Sequence, residues 1–190
     1  MQIPIRQLES KRLILRLFKP SDLDSFLNYR SDPVVAKYQL WGPFTRDQAL
    51  DFVHKYKSAK AFIPGEWFGI AIELKETGQL IGDFAIKIDA KDYSQAEIGF
   101  NLAPRYHRQG FASEAVLCIL DYLFVELNLH RVYAMVDSQN KAAGSILKKT
   151  GMRREGHFVQ NVHVKGNWGD EYLYAILKKE WIAKKDCTPG

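Results

Sequence analysis

The stretch Gln95–Leu127, QAEIGFNLAPRYHRQGFASEAVLCILDYLFVEL, decides the fold of this chain. Apolar residues alternate with small or polar ones up to Leu102, which predicts a half-buried strand. Pro104 ends this strand, because proline has no N–H to donate to a neighbouring strand. From Phe111 onward the apolar residues follow a helical period and form a wide apolar face. The stretch therefore predicts a strand, a short turn and a long helix.

The turn His107–Ala112 (HRQGFA) is a candidate anion site. A strand that turns into a helix N-terminus offers unpaired N–H groups and the positive end of the helix dipole, which most often hold phosphate. Gly110 allows the backbone to come close to a ligand, and Ala112 keeps the first helical turn uncluttered. On these local features alone, an ordinary strand-to-helix connection is the favoured interpretation.

Three other glycine motifs are absent from the sequence. There is no G-x-x-x-x-G-K-[ST] loop and no G-x-G-x-x-G at the start of a helix, so nucleotide-binding loops of those kinds are excluded. There is also no G-x-S-x-G sequence, which excludes the nucleophile elbow of the α/β-hydrolases.

The turn resembles the acetyl-CoA-binding motif of the GNAT superfamily of N-acetyltransferases, [QR]-x-x-G-x-[GA]. Gly110 and Ala112 match this motif, whereas His107 stands where the family has Gln or Arg. That departure is associated with a branch that resembles the ribosomal-protein N-terminal (alanine/serine) acetyltransferases. Two further blocks are similar to this branch: Leu8–Arg16 with Ser21–Asp24 near the start, and Asn140 eleven residues before Gly151-Met152.

The resemblance covers about residues 8 to 182 and implies a single-domain α/β fold. It implies a mixed, mostly antiparallel, twisted sheet flanked by helices. We expect one acetyltransferase domain over residues 1–182 and a loose tail over residues 183–190. The implied activity is direct acetyl transfer from acetyl-CoA to a primary amine, without a metal or a covalent intermediate.

Composition is that of a globular protein: 46% of the 190 residues are apolar and 26% are charged. This length suits one domain. No apolar run approaches the roughly 20 residues that span a bilayer, so we expect no membrane association. The two cysteines form no metal or redox spacing, which favours a reducing cytoplasm. The net charge of +5 suits an anionic ligand such as CoA, although surface lysines explain it equally well.

Periodicity and turn signals predict the other elements of the chain. Ser21 is expected to cap a helix that ends at Arg30, and Thr45 a second one. The aromatic-rich segment Val34–Phe44 is either a packed loop or a substrate-binding loop. The remaining predictions are strands Lys11–Phe18, Glu66–Leu74, Leu80–Asp89, Arg131–Val136, Met152–Val164 and Trp168–Leu177, and helices Arg46–Lys57 and Asn140–Thr150, the second with Ala142, Ala143, Ile146, Leu147 and Thr150 facing inward.

The resemblance also implies where acetyl-CoA lies. In the family, the pantetheine arm occupies a cleft between the two strands on either side of the long helix and pairs with backbone. The cofactor-binding residues implied here are Phe100, Asn101, Leu102, Arg108, Gln109, Gly110, Phe111, Ala112 and Asn140. Asn140 is equally well placed as a helix N-cap, and one residue can do both.

The general acid is the part of the family pattern that this chain lacks. Many members have a tyrosine seven residues after the asparagine, and others a serine three residues after it. Here those positions are Leu147 and Ala143. Ser145 lies nearby and is a candidate, although a serine on a helix surface is the commoner explanation.

Glu97 is the first candidate for a general base, because strand alternation places it on the same face as Gly99 and Asn101. A cross-strand ion pair explains Glu97 equally well. Weaker candidates are His130, His157, His163 and Asp137.

A site without an obvious base fits an amine of low pKa. An α-amino group with a pKa near 8 is partly neutral at physiological pH, whereas a lysine side chain must lose about 3 pKa units, or roughly 4 kcal/mol. An α-amine or another amine of low pKa is therefore favoured over lysine. The resemblance implies a protein N-terminus as acceptor, as in ribosomal-protein acetylation, with a small amine (amino acid, polyamine or antibiotic) as the alternative. A CoA-binding sensor without catalysis is a second alternative. We expect no nucleic-acid partner, because no such motif is present, and either a monomer or a homodimer.

Overall fold

The computed structural model describes residues 7–186, which form one eight-stranded sheet with helices on both faces. The strands follow the spatial order β1-β2-β3-β4-β5-β6-β8-β7, and every neighbouring pair is antiparallel except β5 and β6. The mixed, mostly antiparallel α/β architecture is therefore as predicted. The strands are β1 (Leu8–Glu9), β2 (Leu13–Arg16), β3 (Trp67–Leu74), β4 (Gln79–Ile88), β5 (Gln95–Leu102), β6 (Arg131–Asp137), β7 (Arg153–Val164) and β8 (Asn167–Leu177).

Six α-helices connect and flank these strands within the described part of the chain. They are α1 (Leu23–Arg30), α2 (Pro33–Ala36), α3 (Arg46–Tyr56), α4 (Phe111–Asp121), α5 (Lys141–Lys149) and α6 (Lys178–Asp186). Short 3-10 turns precede α1 and follow β5, and a π-type turn, Tyr122–Glu126, extends α4. Thr45 caps α3 as predicted, since its hydroxyl accepts from Gln48 N and the Gln48 side chain accepts from Thr45 N.

The sheet has an opening where the parallel strands β5 and β6 separate. The two strands are paired only over three positions, Gln95 with Arg131 through Glu97 with Tyr133. Beyond Glu97, β5 continues to pair with β4 on its other side, up to Leu102 opposite Gly82. The remaining length of β5 therefore has no strand on the side of β6, which leaves an opening between two strand ends.

Helix α4 closes one face of the sheet because its apolar stripe is long. The buried side chains of α4 and the π-type turn are Phe111, Ala115, Val116, Ile119, Leu120, Tyr122, Leu123 and Phe124. On the opposite face, Gly69 of β3 lies against the ring of Tyr56, so that an added Cβ would meet this ring at 3.0 Å. Helices α1 and α3 thus cover one face of the sheet while α4 covers the other.

The predicted cap of α1 is wrong. Pro20–Asp22 form a 3-10 turn, and α1 begins only at Leu23. Asp22, rather than Ser21, holds this start, because its carboxylate accepts from Lys19 N and from the Arg16 guanidinium, both at 2.7 Å. Asp22 and Arg16 are both buried. A buried ion pair across the turn therefore replaces the hydroxyl cap that the local sequence indicates.

The predicted loose tail is also wrong as far as the structure describes it, because α6 continues through Asp186. Trp181 explains this helix: it is buried against Phe124, with ring centroids 6.3 Å apart, and its Nε1 donates to Asp121 at 3.3 Å. The end of the expected domain at residue 182 falls inside this helix. Residues 187–190 of the expected tail lie outside the described residues.

Part of the aromatic-rich segment after α2 packs against a buried arginine, and another part lines cavities. Trp41 and Phe44 pack over the guanidinium of Arg30, which lies 4.2 Å and 5.3 Å from their ring centroids. Arg30 in turn forms a buried ion pair with Asp83 of β4. Tyr38 and its neighbours instead line cavities at the end of β5. Among residues 7–186, no helix has the length and apolar character needed to cross a bilayer.

Candidate functional site

A cavity of about 550 Å³ lies where β5 leaves β6. Its wall is formed by the end of β5, the turn after it, the first turn of α4 and helix α5, and it is closed by residues of α2 and of the loop after α2. Nine residues singled out in the sequence line this cavity: Phe100, Asn101, Leu102, Arg108, Gly110, Phe111, Ala112, Asn140 and Ser145. Gln109 and Glu97 are not among the lining residues.

The turn into α4 has the backbone shape of an anion site. Arg108 and Gly110 have φ angles of 60° and 83°, both in the left-handed region. The first intrahelical bond runs from Glu114 N to Gly110 O at 3.0 Å. The amides before Glu114 have no carbonyl one turn back, as at any helix start. Phe111 and Ala112 belong to this unpaired turn and line the cavity, so the positive end of α4 faces it.

Gln109 does not line the cavity. Its side-chain amide donates to Arg105 O at 2.7 Å, and its backbone carbonyl accepts from Arg12 Nη1 at 3.0 Å. These bonds hold the turn in place, and a contact between Gln109 and the cofactor stays a prediction.

His107, where the family motif has Gln or Arg, ties the turn to the end of β5. Its Nε2 lies 2.9 Å from Leu102 O, so this nitrogen carries the proton in the bonded form. His107 also lines the cavity. The unusual residue therefore has a structural role in this chain.

Asn140 is the N-cap of α5, because its Oδ1 accepts from Ala143 N at 3.1 Å. This bond uses the side-chain oxygen and leaves the amide NH₂ group as a donor. Asn140 lines the large cavity and also a second one, so it stands where both meet. Ala142, which was predicted to face inward, is exposed instead.

The second cavity has a volume of about 210 Å³ and lies on the other side of the β5–β6 opening. The residues that line both cavities are Tyr38, Gln39, Phe100, Asn140 and Ala143. Following the expectation from the sequence, we label the larger space the cofactor-side cavity and the smaller one the acceptor-side cavity. The five shared lining residues show that the two cavities adjoin at the opening between β5 and β6.

Glu97 lines the acceptor-side cavity and is already ion-paired. Its carboxylate lies 2.6 Å from Lys87 Nζ, and the two residues are direct partners in the β4–β5 register. Lys87 Nζ also lies 4.6 Å from the ring centroid of Trp67, which lines the same cavity. The cross-strand ion pair left open by the sequence is therefore present, and it borders the cavity.

Two further carboxylates line the acceptor-side cavity, Asp137 and Glu171. They are direct partners across β6 and β8. Asp137 accepts from Gln139 N at 2.7 Å, and Glu171 accepts from Asn161 Nδ2 at 2.7 Å. Like charges directly opposite each other in a sheet are unfavourable. Sequence reasoning gave Asp137 little weight and missed Glu171, because only the strand register brings the two together.

Leu147 occupies one of the two family positions for an acid, and Ser145 is the candidate that the sequence offers in its place. Leu147 is fully buried and lines the acceptor-side cavity, while Ser145 is exposed and lines the cofactor-side cavity. Within residues 7–186, Tyr38 is the tyrosine that lines both cavities. Sequence reasoning placed Tyr38 in the aromatic-rich segment that is either a packed loop or a substrate-binding loop, but gave it no catalytic role, since no motif surrounds it.

Comparison with known proteins identifies the family. The family model described as the acetyltransferase (GNAT) domain matches residues 12–153. The uncharacterized N-acetyltransferase YnaD of Bacillus subtilis is 39% identical over 172 residues, which cover 90% of this chain and 97% of YnaD. A GNAT-family acetyltransferase from Bacillus anthracis has a crystal structure that aligns with a TM-score of 0.82 and 33% identity, covering 92% of this chain and 99% of that one.

A second similar structure is that of spermidine N-acetyltransferase from Vibrio cholerae in complex with CoA and spermine. It aligns with a TM-score of 0.76 and 25% identity over 91% of this chain and 99% of that chain. The family model spans well over half of the sequence, and the relatives align along nearly their whole length. The chain is thus an acyltransferase that belongs to the GNAT family of N-acetyltransferases.

Proposed function

We propose that this protein moves an acetyl group from acetyl-CoA directly to a primary amine that carries further positive charge. The observation that supports this most is that two cavities adjoin at the opening between β5 and β6, one at the turn into α4 and the other lined by three carboxylates. The donor enters on the cofactor side and the amine on the acceptor side.

The cofactor-side cavity fits acetyl-CoA. Its volume of about 550 Å³ suits a ligand of this kind. The left-handed Gly110 and the free amides of the first α4 turn suit a pyrophosphate. Backbone of Phe100–Leu102, which has no strand on its β6 side, would hold the pantetheine arm, and the amide of Asn140 would contact it. Acetyl-CoA bound there supplies an activated thioester.

The protein's own groups then have three tasks. A backbone N–H at the end of β5 stabilises the oxyanion, a contribution of about 3–4 kcal/mol for such a donor. Glu97 is the candidate base for the amine proton, although its contact with Lys87 competes with this role. Tyr38 is the candidate acid for the leaving thiolate, because it lines both cavities. Ser145 is the second candidate acid.

Charge on the acceptor side favours a cationic amine. Glu97, Asp137 and Glu171 line that cavity together with one cation, Lys37, and Lys87 pairs with Glu97, so three carboxylates face two ammonium groups and the surface is net negative. A polyamine or the N-terminus of a basic protein matches this surface better than an uncharged amine does. The Vibrio cholerae structure, which contains CoA and spermine, supports the polyamine. The ribosomal-protein N-terminus that the resemblance implies stays a second candidate for the acceptor. The cytoplasmic setting, the monomeric or homodimeric state and the absence of a nucleic-acid partner stay predictions.

The experiment is a thiol-release assay with acetyl-CoA and a panel of amines. We expect spermidine or a basic N-terminal peptide to stimulate thiol release more than a neutral amino acid does. The double variant Asp137→Asn, Glu171→Gln should raise KM for the cationic amine and leave KM for acetyl-CoA unchanged. Binding of CoA without stimulation by any amine in the panel would contradict the proposal.

A further inference from the structure

Arg12 lies at the edge hairpin of β1 and β2, far in sequence from the cofactor-side cavity. Its backbone N and its Nε each donate to the Glu114 carboxylate at 2.7 Å. Ser10 Oγ donates to the same carboxylate at 2.8 Å. Glu114 is in the first turn of α4, so the hairpin is fastened to the helix that starts at the anion-binding turn.

The other atoms of the Arg12 guanidinium contact the turn into α4. Nη1 donates to Gln109 O at 3.0 Å, and the guanidinium carbon lies 4.2 Å from the ring centroid of Phe111. Nη2 is so close to Gly110 that an added Cβ would meet it at 3.3 Å. Arg12 therefore contacts three consecutive residues of the turn without lining the cavity.

Two physical consequences follow from these contacts. A peptide carbonyl that faced the cavity would repel a phosphate, and the bond to Arg12 holds the Gln109 carbonyl away from it. Glu114 carries a negative charge one turn from the expected phosphate. Burial raises the pKa of Glu114, but hydrogen bonds from Arg12 N, Ser10 and the Arg12 side chain together lower it, so the carboxylate stays ionised. Arg12 supplies the charge that offsets it.

We propose that Arg12 is a positioning residue for phosphate binding: it fixes the backbone of Gln109–Phe111 and neutralises Glu114, without touching the ligand. This inference rests on the proposed function, because it concerns the same cofactor. Arginine suits the task where lysine does not, since only a planar guanidinium donates to Glu114 and Gln109 at once while stacking on a ring.

The test is calorimetric titration of the full chain with CoA and, separately, with pantetheine, which lacks the phosphates. We expect Arg12→Gln to weaken CoA binding by about 10-fold to 100-fold, the size of a lost charge-assisted hydrogen bond. Pantetheine affinity should be unchanged, which also reports that the cleft is folded. Arg12→Lys should recover little of the CoA affinity. Lys75→Ala, which breaks the Lys75–Glu9 ion pair at the same edge, is the matched control and should change neither affinity.

Unchanged CoA affinity in Arg12→Gln, or an equal loss for CoA and pantetheine, overturns the inference. Full recovery by Arg12→Lys also overturns it, because charge alone would then be sufficient. Wild-type protein that does not bind CoA overturns the proposed function and the inference with it. Wild-type protein that binds CoA as tightly as the variant does overturns only the role of Arg12.

Discussion

Glu97 and Lys87 face each other across β4 and β5, with the carboxylate 2.6 Å from the ammonium group. The Glu97 side chain is 15% exposed and borders the acceptor-side cavity. The ion pair is therefore a contact between two strands, and it borders the cavity in which we propose that the acceptor amine loses its proton. A carboxylate in this position can stabilise the sheet, accept the proton or do both.

We expect Glu97→Gln to lower kcat by about 10²–10⁴-fold, the usual size of a general-base contribution, with CoA affinity unchanged. Lys87→Met is the matched variant: it breaks the same ion pair but keeps the carboxylate. If both variants lose stability equally and both keep the rate, Glu97 is only an ion-pair partner, and solvent takes the amine proton.

Gly110→Glu should abolish CoA binding in a protein that still folds. Gly110 has a φ of 83° and lies at the anion-binding turn, so a carboxylate there meets the phosphates. Gly78→Glu is the control, because Gly78 has a φ of 65° but open space around it. Both variants should lose about 1–2 kcal/mol of stability from the left-handed conformation. Titration with CoA separates them, and undiminished CoA affinity in Gly110→Glu would refute the site.

Tyr38→Phe should lower kcat by about 10²-fold or more, because phenylalanine has no hydroxyl to protonate the leaving thiolate. KM for acetyl-CoA should change little, since the ring remains. Tyr106→Phe is the control, because Tyr106 also lines the cofactor-side cavity but its hydroxyl donates to Gln79 Oε1 at 3.1 Å. An equal, small effect of both changes would assign the proton to solvent or to Ser145.

The strand, turn and helix of Gln95–Leu127 were predictable because their signals are local. A period of two, a proline and a period of 3.6 follow one another, and burial of α4 matches the stripe. The cofactor-side cavity followed from the same stretch and from Asn140. The cap of α1 was missed, because Asp22 is held by Arg16 rather than by the local backbone.

Other parts of the site depend on contacts that no local pattern encodes. Arg12 N donates to a carboxylate 102 residues further along the chain. Glu171 faces Asp137 only through the register of β6 and β8. Helix α6 has a polar sequence, and the contact between Trp181 and Phe124 holds it against the rest of the fold. Registers and long-range contacts of this kind therefore decide the parts of the fold and of the site that the sequence did not predict.

Glu114 should make stability depend on pH at the acidic end. Its hydrogen bonds lower its pKa below the usual 4.5 against the effect of burial. A group with a lowered folded pKa contributes stability above its unfolded pKa and loses it as the pH falls through the folded value. Melting curves from pH 7 to pH 3 should show Glu114→Gln less stable than wild type near neutrality, with the gap closing below pH 4.5. A gap that is constant with pH would contradict this origin.

The most direct measurement is a crystal structure of the full chain with CoA. We expect the pantetheine arm between β5 and β6, paired with the backbone of Phe100–Leu102, and the pyrophosphate at the amides of Gly110–Ala112. The sulfur should lie where the cofactor-side and acceptor-side cavities meet, near Tyr38 and Asn140. CoA bound on another face, or with its phosphates away from the Arg108–Ala112 turn, would contradict the proposed site.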